Sequence, residues 1–347
     1  ETEFRERCRA FLKEHATGIS REARGEDRGA GMMATAKAFQ GALAAAGLAG
    51  AIYDAEYGGA GLTRAHERIW REEYGNFPDM TSELTISHGM CLPVLNQFGT
   101  HEQKKAFLAD NIAARTVWCQ MFSEPGAGSD VASLQTKAEL DGDEWVLNGQ
   151  KVWTTLAHLS DYGVVIARTN PDAPKHAGIS MFIMKMDAPG VEIRPIHQID
   201  GGKHFNEIFL TDMRIPKDWL LGELNNGWNQ ATAMLMYERV AIGTGSTSGV
   251  SHPSADGLIA DPNMRQALMK LYSQETTKSL VAMRTRAELK AGKTPGPGGS
   301  LGKLHGAVIS RMMRSILGDL FGPDLVANQK GDKAEQWGRT LLTSFSA

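Results

Sequence analysis

The sequence is poor in cysteine and has no long apolar run. Its 347 residues include three cysteines, Cys8, Cys91 and Cys119. None lies in a C-x-x-C or metal-ligand spacing, which argues against a disulfide framework and favours a reducing compartment. The longest charge-free stretch of the N-terminal region, residues 38–53, is rich in Ala and Gly and too short to span a membrane. The sequence therefore predicts a cytoplasmic protein without a membrane span.

A strong excess of charge and the common nucleotide signatures are also lacking. The formal net charge is −3, with acidic and basic residues interspersed, which gives no electrostatic reason to expect nucleic acid or an anionic membrane as partner. No G-x-x-x-x-G-K-[ST] loop occurs, and Gly126-x-Gly128 is followed by Val131 where a dinucleotide fingerprint needs glycine. His101-Glu102 starts no H-E-x-x-H motif, and no metal site is predicted.

Hydrophobic periodicity divides the chain into three regions. Apolar residues recur at helical spacing up to about residue 114, give way to short strand patterns with Asp-Gly and Asn-Gly turns, and return to helical spacing after Gly222. We predict an N-terminal helical domain (residues 1–115), a middle β domain (116–222) and a C-terminal helical bundle (223–347). Helices before and after a block of strands favour an α+β fold over an alternating doubly wound one.

Two details of this prediction concern turns and ends. Asn148-Gly149 is a typical hairpin turn, so residues 145–147 and 151–153 are predicted to be separate short strands. The chain closes at Ala347 without a helix-terminating signal, so we expect its C-terminus to be truncated.

Two segments concentrate groups that could bind a ligand. Residues 118–130 read W-C-Q-M-F-S-E-P-G-A-G-S-D, and Trp153-Thr154-Thr155 follows after a predicted strand. Pro125, Gly126 and Gly128 predict a tight bend whose bare backbone lets N–H groups approach a ligand closely. Such a bend can hold a flat polar ring or an anionic group.

Three motifs carry a resemblance to a known family. S-E-P-G-A-G-S-D at residues 123–130, L-N-G-Q-K-V-W-T-T at 147–155 and F-N-E-I-F-L-T-D-M-R-I-P at 205–216 closely resemble the acyl-CoA dehydrogenase family of flavoenzymes. The likeness runs in register from about Phe4 to about Arg239. It implies a helical domain, a β-barrel domain and a helical bundle that also builds a homodimer or homotetramer. It further implies FAD as cofactor, an acyl-CoA substrate and an electron-transferring flavoprotein as electron acceptor.

The resemblance also implies a flavin site. According to the resemblance, the pyrimidine side of the flavin would be lined by Gln120, Met121, Phe122 and Ser123. Its other edge, near N5, would be lined by Trp153, Thr154 and Thr155. Backbone N–H groups and a hydroxyl would stabilise the negative charge that appears on the ring when it accepts hydride. The alternatives are that Trp153 is a core aromatic of the barrel and that Ser123 caps a turn. Ser129 matches a position that contacts the CoA substrate, although a serine in a Gly-rich turn often bonds only its own backbone.

The reaction implied by the resemblance needs a carboxylate base, and Glu238 is the candidate. It lies in the apolar helical run M-L-M-Y-E-R-V, where burial raises a carboxyl pKa towards a range useful for a general base. Leu235 and Arg239 are the neighbouring candidates for substrate binding. The alternative is that Glu238 and Arg239 form a structural ion pair or an exposed helix edge. His88 could reach an acyl pocket, but a packed or surface histidine is the better interpretation. Glu207 matches a family position at a strand, and a structural role is the better interpretation.

The C-terminal region departs from the family pattern. The Arg-x-x-Phe-Gly segment of the family is not visible, and residues 249–255 stand in the comparable region. Phe321-Gly322-Pro323 stands where a Gly-Gly-x-Gly loop is expected. Two alternatives to the dehydrogenase therefore stay open. One is a non-catalytic structural subunit of a heteromeric enzyme, and the other is a flavin oxidase or monooxygenase of the same fold.

Overall fold

The structure is a computed structural model that describes residues 1–16, 28–243, 261–291 and 298–326, together with positions 338 and 342. The chain divides into two compact units, residues 1–238 and 239–347. The first unit carries helices and then a β-sheet, and the second carries helices. The predicted order of helices, sheet and helices is therefore confirmed, and the fold is α+β. The exact domain boundaries stay a prediction.

Among the residues that the structure describes, five α-helices precede the sheet. Their bounds are α1 (Thr2–His15), α2 (Arg28–Ala45), α3 (Arg64–Tyr74), α4 (Leu92–Phe98) and α5 (His101–Ile112). In α1 the buried side chains are Phe4, Cys8, Phe11 and Leu12, which follow the 3.6-residue period. A π-helical turn, Ser87–Cys91, leads into α4.

The β-sheet has eight strands in the order β6-β7-β3-β2-β4-β5-β8, and β1 pairs in parallel with β4. The bounds are β1 (Trp118–Met121), β2 (Lys137–Asp141), β3 (Glu144–Thr155), β4 (Tyr162–Arg168), β5 (Ile179–Lys185), β6 (Val191–Pro195), β7 (Phe205–Pro216) and β8 (Leu220–Leu221). Strand β3 lies between β2 and β7, antiparallel to both. Strands β1 and β3 are therefore not neighbours in the sheet.

The prediction of a turn at Asn148-Gly149 is wrong, because β3 runs without interruption from Glu144 to Thr155. The two residues lie instead at a register shift against β7. The Asn148 side chain bonds Asp212 across the shift, donating to its carboxylate at 3.0 Å and accepting from its N–H at 2.9 Å. A Cβ on Gly149 would lie 2.4 Å from Thr136 Oγ1. Close packing against Thr136, which directly precedes β2, and not a reversal of the chain, accounts for this glycine.

Both faces of the sheet are buried at β4 and β5, and alternate residues of β4 enter different cores. Val164 and Ile166 of β4 join a cluster with the helices, whereas Val165 packs on the other side. In β1, Trp118 belongs to the first cluster, and Cys119 and Met121 to the second. This alternation explains the continuous apolar run of β4, which has no polar face.

Helix α6 (Gly227–Gly243) begins in the first unit. In the second unit, α7 (Pro262–Lys290) and α8 (Gly298–Val326) pack through a core that includes Leu271, Met313 and Leu317. The backbone of α8 leaves helical geometry at Gly322, where φ is 44°. Residues 249–255, where the sequence departs from the family pattern, lie outside the described residues. No helix among the described residues is long and apolar enough to cross a membrane.

Candidate functional site

The first predicted segment leaves the sheet at the end of β1. The Gln120 side chain is half-buried, and Phe122 packs in the cluster between the helices and the sheet. Met121 is fully buried on the opposite face of the sheet, so a ligand contact from Met121 would come from its main chain. Ser123 is half-buried, and its carbonyl accepts a hydrogen bond from the Val152 N–H at 2.9 Å. The four predicted residues therefore do not present their side chains to one surface.

A tight turn follows directly. Glu124 and Ala127 exchange two main-chain hydrogen bonds, at 3.0 and 3.1 Å, and Pro125 and Gly126 form the corner between them. A Cβ built on Gly126 or on Gly128 would meet no atom of the described chain within 4 Å. The predicted approach to bare backbone is therefore sterically open at both glycines. Ser129 beyond them is exposed.

The second segment, Trp153-Thr154-Thr155, lies on a β-bulge. The register of β3 against β7 shifts between Lys151 and Thr154, and Trp153 has a φ of 60°, a conformation that side-chain-bearing residues rarely adopt. The bulge turns the Trp153 ring outwards, where it is 59% exposed and contacts Phe205 edge-on. Thr154 is buried at 1% exposure, and Thr155 is half-buried. Strained backbone of this kind is concentrated at functional sites.

The hydroxyl of Thr154 is one of five buried side-chain polar atoms that lack a hydrogen-bond partner among the described residues, and it is the one that lies in the second predicted segment. Its Oγ1 makes no hydrogen bond with any described residue. Buried hydroxyls are normally paired because leaving them without a partner costs free energy. A hydroxyl without a partner beside an exposed aromatic ring and an open turn fits a polar planar ligand.

Asn206 holds the bulge in place, and sequence reasoning missed it. Its side chain is fully buried in β7 and donates to the carbonyls of Thr154 at 2.9 Å and His204 at 3.3 Å. Since both amide hydrogens point to carbonyls, its Oδ1 accepts from Nδ1–H of His158, at 2.9 Å. Partial desolvation lowers the pKa of His158 below its ordinary value. An asparagine at an inward position of a strand was the available sequence signal.

A second pair that sequence reasoning missed links the two segments. Lys151 is fully buried, and its ammonium lies 2.8 Å from the Glu124 carboxylate. Each residue lies within one of the motifs that carry the family resemblance, but the resemblance gave neither a role. The opposite charges of Glu124 in one motif and Lys151 in the other were the sequence signal that could have suggested the pair.

Helix α6 is anchored on the sheet at its start. A Cβ on Gly227 would lie 2.7 Å from the Ser180 backbone, and the Ser180 hydroxyl accepts the Asn225 N–H at 2.8 Å. Further along, the Tyr237 hydroxyl donates to Gln97 of α4 at 2.8 Å. These contacts fix the rotation of the helix that carries Glu238.

Glu238 lies on the face of α6 that points towards the core. Ala231 and Met234 are fully buried, and Glu238 follows them at the i+7 and i+4 positions. The Glu238 side chain is half-buried, and within the described part of the chain no hydrogen bond or ion pair engages its carboxylate. Leu235 is half-buried against the same core, whereas Arg239 is exposed. The structural ion pair between Glu238 and Arg239 is not among the described contacts.

Two other sequence candidates have structural partners. His88 lies in the π-helical turn, and its Nε2–H donates to the Asn111 carbonyl at 2.8 Å, while burial lowers its pKa to about 4. It is a packed neutral histidine. Glu207 accepts a weak bond from Gln150 Nε2 at 3.4 Å. Among the described residues, no group of three His, Cys, Asp or Glu side chains could hold a metal ion, and Cys8, Cys91 and Cys119 are buried and free.

Two family models match the chain. The model described as "Acyl-CoA dehydrogenase, N-terminal domain" matches residues 1–115, and "Acyl-CoA dehydrogenase, middle domain" matches residues 119–213. The second match includes both predicted segments, except for Trp118, and Asn206.

Several known proteins are similar in sequence. Acyl-CoA dehydrogenase IpdE1 of Mycobacterium tuberculosis is 43% identical over 242 residues, which cover 68% of this chain and 62% of that protein. Acyl-CoA dehydrogenase FadE34 of the same organism is 37% identical over 293 residues, covering 83% and 41%. Acyl-CoA dehydrogenase IpdE1 of Mycolicibacterium smegmatis is 36% identical over 323 residues, covering 87% and 80%. The chain thus spans less than two thirds of the length of the first two relatives.

Solved structures share the fold. A variant of the "Tcur3481-Tcur3483 steroid ACAD" superposes with a TM-score of 0.79 at 26% identity, covering 99% of this chain and 93% of the other. Butyryl-CoA dehydrogenase from Megasphaera elsdenii superposes with a TM-score of 0.74 at 20% identity, covering 99% and 92%, and shows the fold alone.

Proposed function

Because the chain belongs to the acyl-CoA dehydrogenase family, as its motifs predict, we propose that it oxidises an acyl-CoA thioester to the trans-2-enoyl-CoA with FAD as cofactor. The observation that carries the proposal is the position of Glu238. A half-buried carboxylate without a described partner, on the core-facing side of α6, is free to take up a proton.

The described residues fit a flavin. The Thr154 hydroxyl lacks a partner, Gly126 and Gly128 have open space where a side chain would be, and the Trp153 ring is exposed. We propose that Gln120, Phe122 and Ser123, the main chain of Met121, and Trp153 to Thr155 hold the isoalloxazine ring. When bound, FAD would accept the β-hydride of the substrate and pass the electrons to an electron-transferring flavoprotein.

The protein supplies the base and the electrostatic setting. Glu238 would remove the α-proton, whose acidity the thioester carbonyl raises, and hold it on its carboxylate. The Thr154 hydroxyl and nearby main-chain N–H groups would donate towards negative charge that develops on the ring. Leu235 and Arg239 would contact the substrate beside the base, and Ser129 would contact its CoA portion.

The test compares Glu238→Gln with Glu223→Gln. Glu223 precedes α6, is exposed, and bonds Asn226, so its substitution is an isosteric control outside the proposed site. We expect Glu238→Gln to lower turnover by about 10²- to 10⁴-fold, the range typical for loss of a general base, with FAD content unchanged. Turnover of Glu238→Gln at the wild-type rate would remove Glu238 from this role.

The same assay identifies the electron acceptor and the substrate class. Activity that requires the flavoprotein acceptor supports the dehydrogenase, whereas peroxide formation without it would support the oxidase alternative. One similar structure is described as a steroid enzyme. The substrate panel should therefore include CoA esters of straight, branched and steroid side-chain acids.

A second candidate function is a structural subunit of a mixed oligomer. The similar steroid enzyme carries a name that joins two components, Tcur3481 and Tcur3483, which favours this alternative. A purified protein that carries one FAD per chain and bleaches with an acyl-CoA on its own would exclude it. Homodimer or homotetramer formation and a cytoplasmic location stay predictions.

A further inference from the structure

We propose that the buried ion pair between Lys151 and Glu124 is a positioning device that fixes the two flavin-binding segments relative to each other. By this inference FAD affinity depends on the pair beyond what the pair contributes to folding. The inference rests on the proposed function, because it concerns how the same site is held.

The pair is fully enclosed and bonds on several sides. The Lys151 side chain has 0% and the Glu124 side chain 6% exposure, and Nζ lies 2.8 Å from Oε1. Nζ also donates to the Phe122 carbonyl at 3.2 Å. The carboxylate accepts the N–H of Gln135 at 2.6 Å and of Thr136 at 2.9 Å. Every partner of the pair outside β3 therefore belongs to the first segment or to the loop that follows it.

The sheet ladder does not provide this link. Strand β1 pairs with β4, whereas β3 pairs with β2 and β7, so the ends of β1 and β3 are not joined by strand pairing. Among the described residues, the hydrogen bonds that join the two segments run from the Val152 N–H to the Ser123 carbonyl and from the Lys151 ammonium to the Phe122 carbonyl and the Glu124 carboxylate. Lys151 is also the last paired residue before the bulge that carries Trp153. A displacement of Lys151 would therefore shift both segments.

Glu124 closes the loop that contains the open glycines and Ser129. Its main chain forms the turn with Ala127, and its carboxylate holds Gln135 and Thr136 at the far end of the loop. The loop of residues 125–134 therefore begins directly after Glu124, and the residues that follow its far end are bonded to the Glu124 carboxylate. Loss of this anchor would free the loop as well as the link to β3.

The charges are present at neutral pH. Burial lowers the pKa of Lys151 to about 8, although the attraction of Glu124 opposes this shift. Burial opposes ionisation of Glu124, but Lys151 and the N–H donors outweigh it and lower the pKa of Glu124. Buried ion pairs can often be replaced by apolar residues without loss of stability. Directional bonds to the Phe122 carbonyl and the loop cannot be replaced in this way.

The test compares Lys151→Met, Glu124→Gln and the double variant with Lys151→Met and Glu124→Leu. The matched control is Gln103→Met, which removes a buried amide that donates to the Asp218 and Leu220 carbonyls outside the flavin segments. FAD release from the holoprotein on dilution gives the dissociation constant, visible circular dichroism reports the flavin environment, and thermal unfolding of the apoprotein reports the fold.

We expect each single variant to weaken FAD binding by about 10- to 100-fold, the loss seen when a bonding partner behind a metal ligand is removed. The double variant should regain unfolding temperature without regaining FAD affinity or the wild-type flavin spectrum. Gln103→Met should lower the unfolding temperature and leave FAD affinity unchanged.

Two results would overturn the inference alone. One is that the wild-type protein binds FAD and that the FAD dissociation constant of each single variant lies within twofold of the wild-type value. The other is a double variant whose FAD affinity recovers in step with its unfolding temperature, since that pattern marks a purely structural pair. If the single variants do not fold, the double variant still decides. A wild-type protein that binds no FAD overturns the proposed function first, and the inference with it.

Discussion

Replacing Asn206 by leucine should open the bulge that carries Trp153 and Thr154. Asn206 is fully buried and makes three side-chain hydrogen bonds, two at 2.9 Å and one at 3.3 Å. Leucine has a similar size but bonds neither the Thr154 carbonyl nor His158. The substitution therefore removes bonds without creating a large cavity.

The magnitude follows from those three bonds. Each contributes about 0.5–1.5 kcal/mol net, so their loss should lower the free energy of unfolding by about 3 kcal/mol. Trp153 adds a local effect, because its left-handed backbone is held only while the surrounding contacts persist, and such strain costs about 1–3 kcal/mol. Relaxation of the bulge would move the Thr154 hydroxyl away from its present position.

The assay combines urea unfolding with amide hydrogen exchange of the segment around Trp153. Asn148→Leu is the matched control, because Asn148 lies at the other register shift of β3 and bonds only the exposed Asp212 with its side chain. We expect a loss of about 1 kcal/mol or less in the control, and faster exchange at residues 152–156 only in Asn206→Leu. Equal stability of the two variants, with unchanged exchange around Trp153, would refute the role of Asn206.

Two further predictions concern packing and pH. Gly149→Ala places a Cβ 2.4 Å from Thr136 Oγ1 and should lower the free energy of unfolding by about 1–3 kcal/mol. The Cβ of Gly126→Ala meets open space, so this variant should keep its stability but bind FAD more weakly. Equal unfolding temperatures of the two variants would contradict this packing. Glu73 accepts bonds from Arg9 and Arg5, which lower its pKa below 4.5. Because the folded-state pKa is depressed, this stabilisation is complete above about pH 4.5 and is lost as the pH falls through the lowered value. The free energy of unfolding of Glu73→Gln should therefore differ from that of the wild type at neutral pH and converge with it in acid. A constant difference at all pH values would count against this role of Glu73.

Much of the fold could be predicted from the sequence because its apolar residues recur at regular spacings. The helical spacing before residue 115 and the apolar run of β4 follow directly from burial on one or both faces. The Asn-Gly pair misled because the same dipeptide that favours a hairpin turn also suits a register shift, where Gly149 avoids Thr136. Strand patterns alone do not reveal which neighbour presses on a glycine.

The site was accessible only in part. The resemblance pointed to Trp153, Thr154 and Glu238, whose types suit the chemistry it implies. Lys151 bonds Glu124, which lies 27 positions away in the sequence, and Asn206 bonds Thr154, which lies 52 positions away. Such bonds depend on the register of strands and on the bulge, which no local pattern specifies. Met121 also illustrates this limit, since the alternation of β1 turns its side chain away from the other candidates.

The most direct measurement follows proton abstraction apart from hydride transfer. An acyl-CoA whose β-carbon carries no hydrogen cannot be oxidised, but its α-hydrogen can exchange with deuterium from the solvent on the enzyme. We predict that the wild-type holoprotein catalyses this exchange and that Glu238→Gln loses it by about 100-fold or more while retaining FAD. Exchange at the wild-type rate in Glu238→Gln would contradict the assignment of the base.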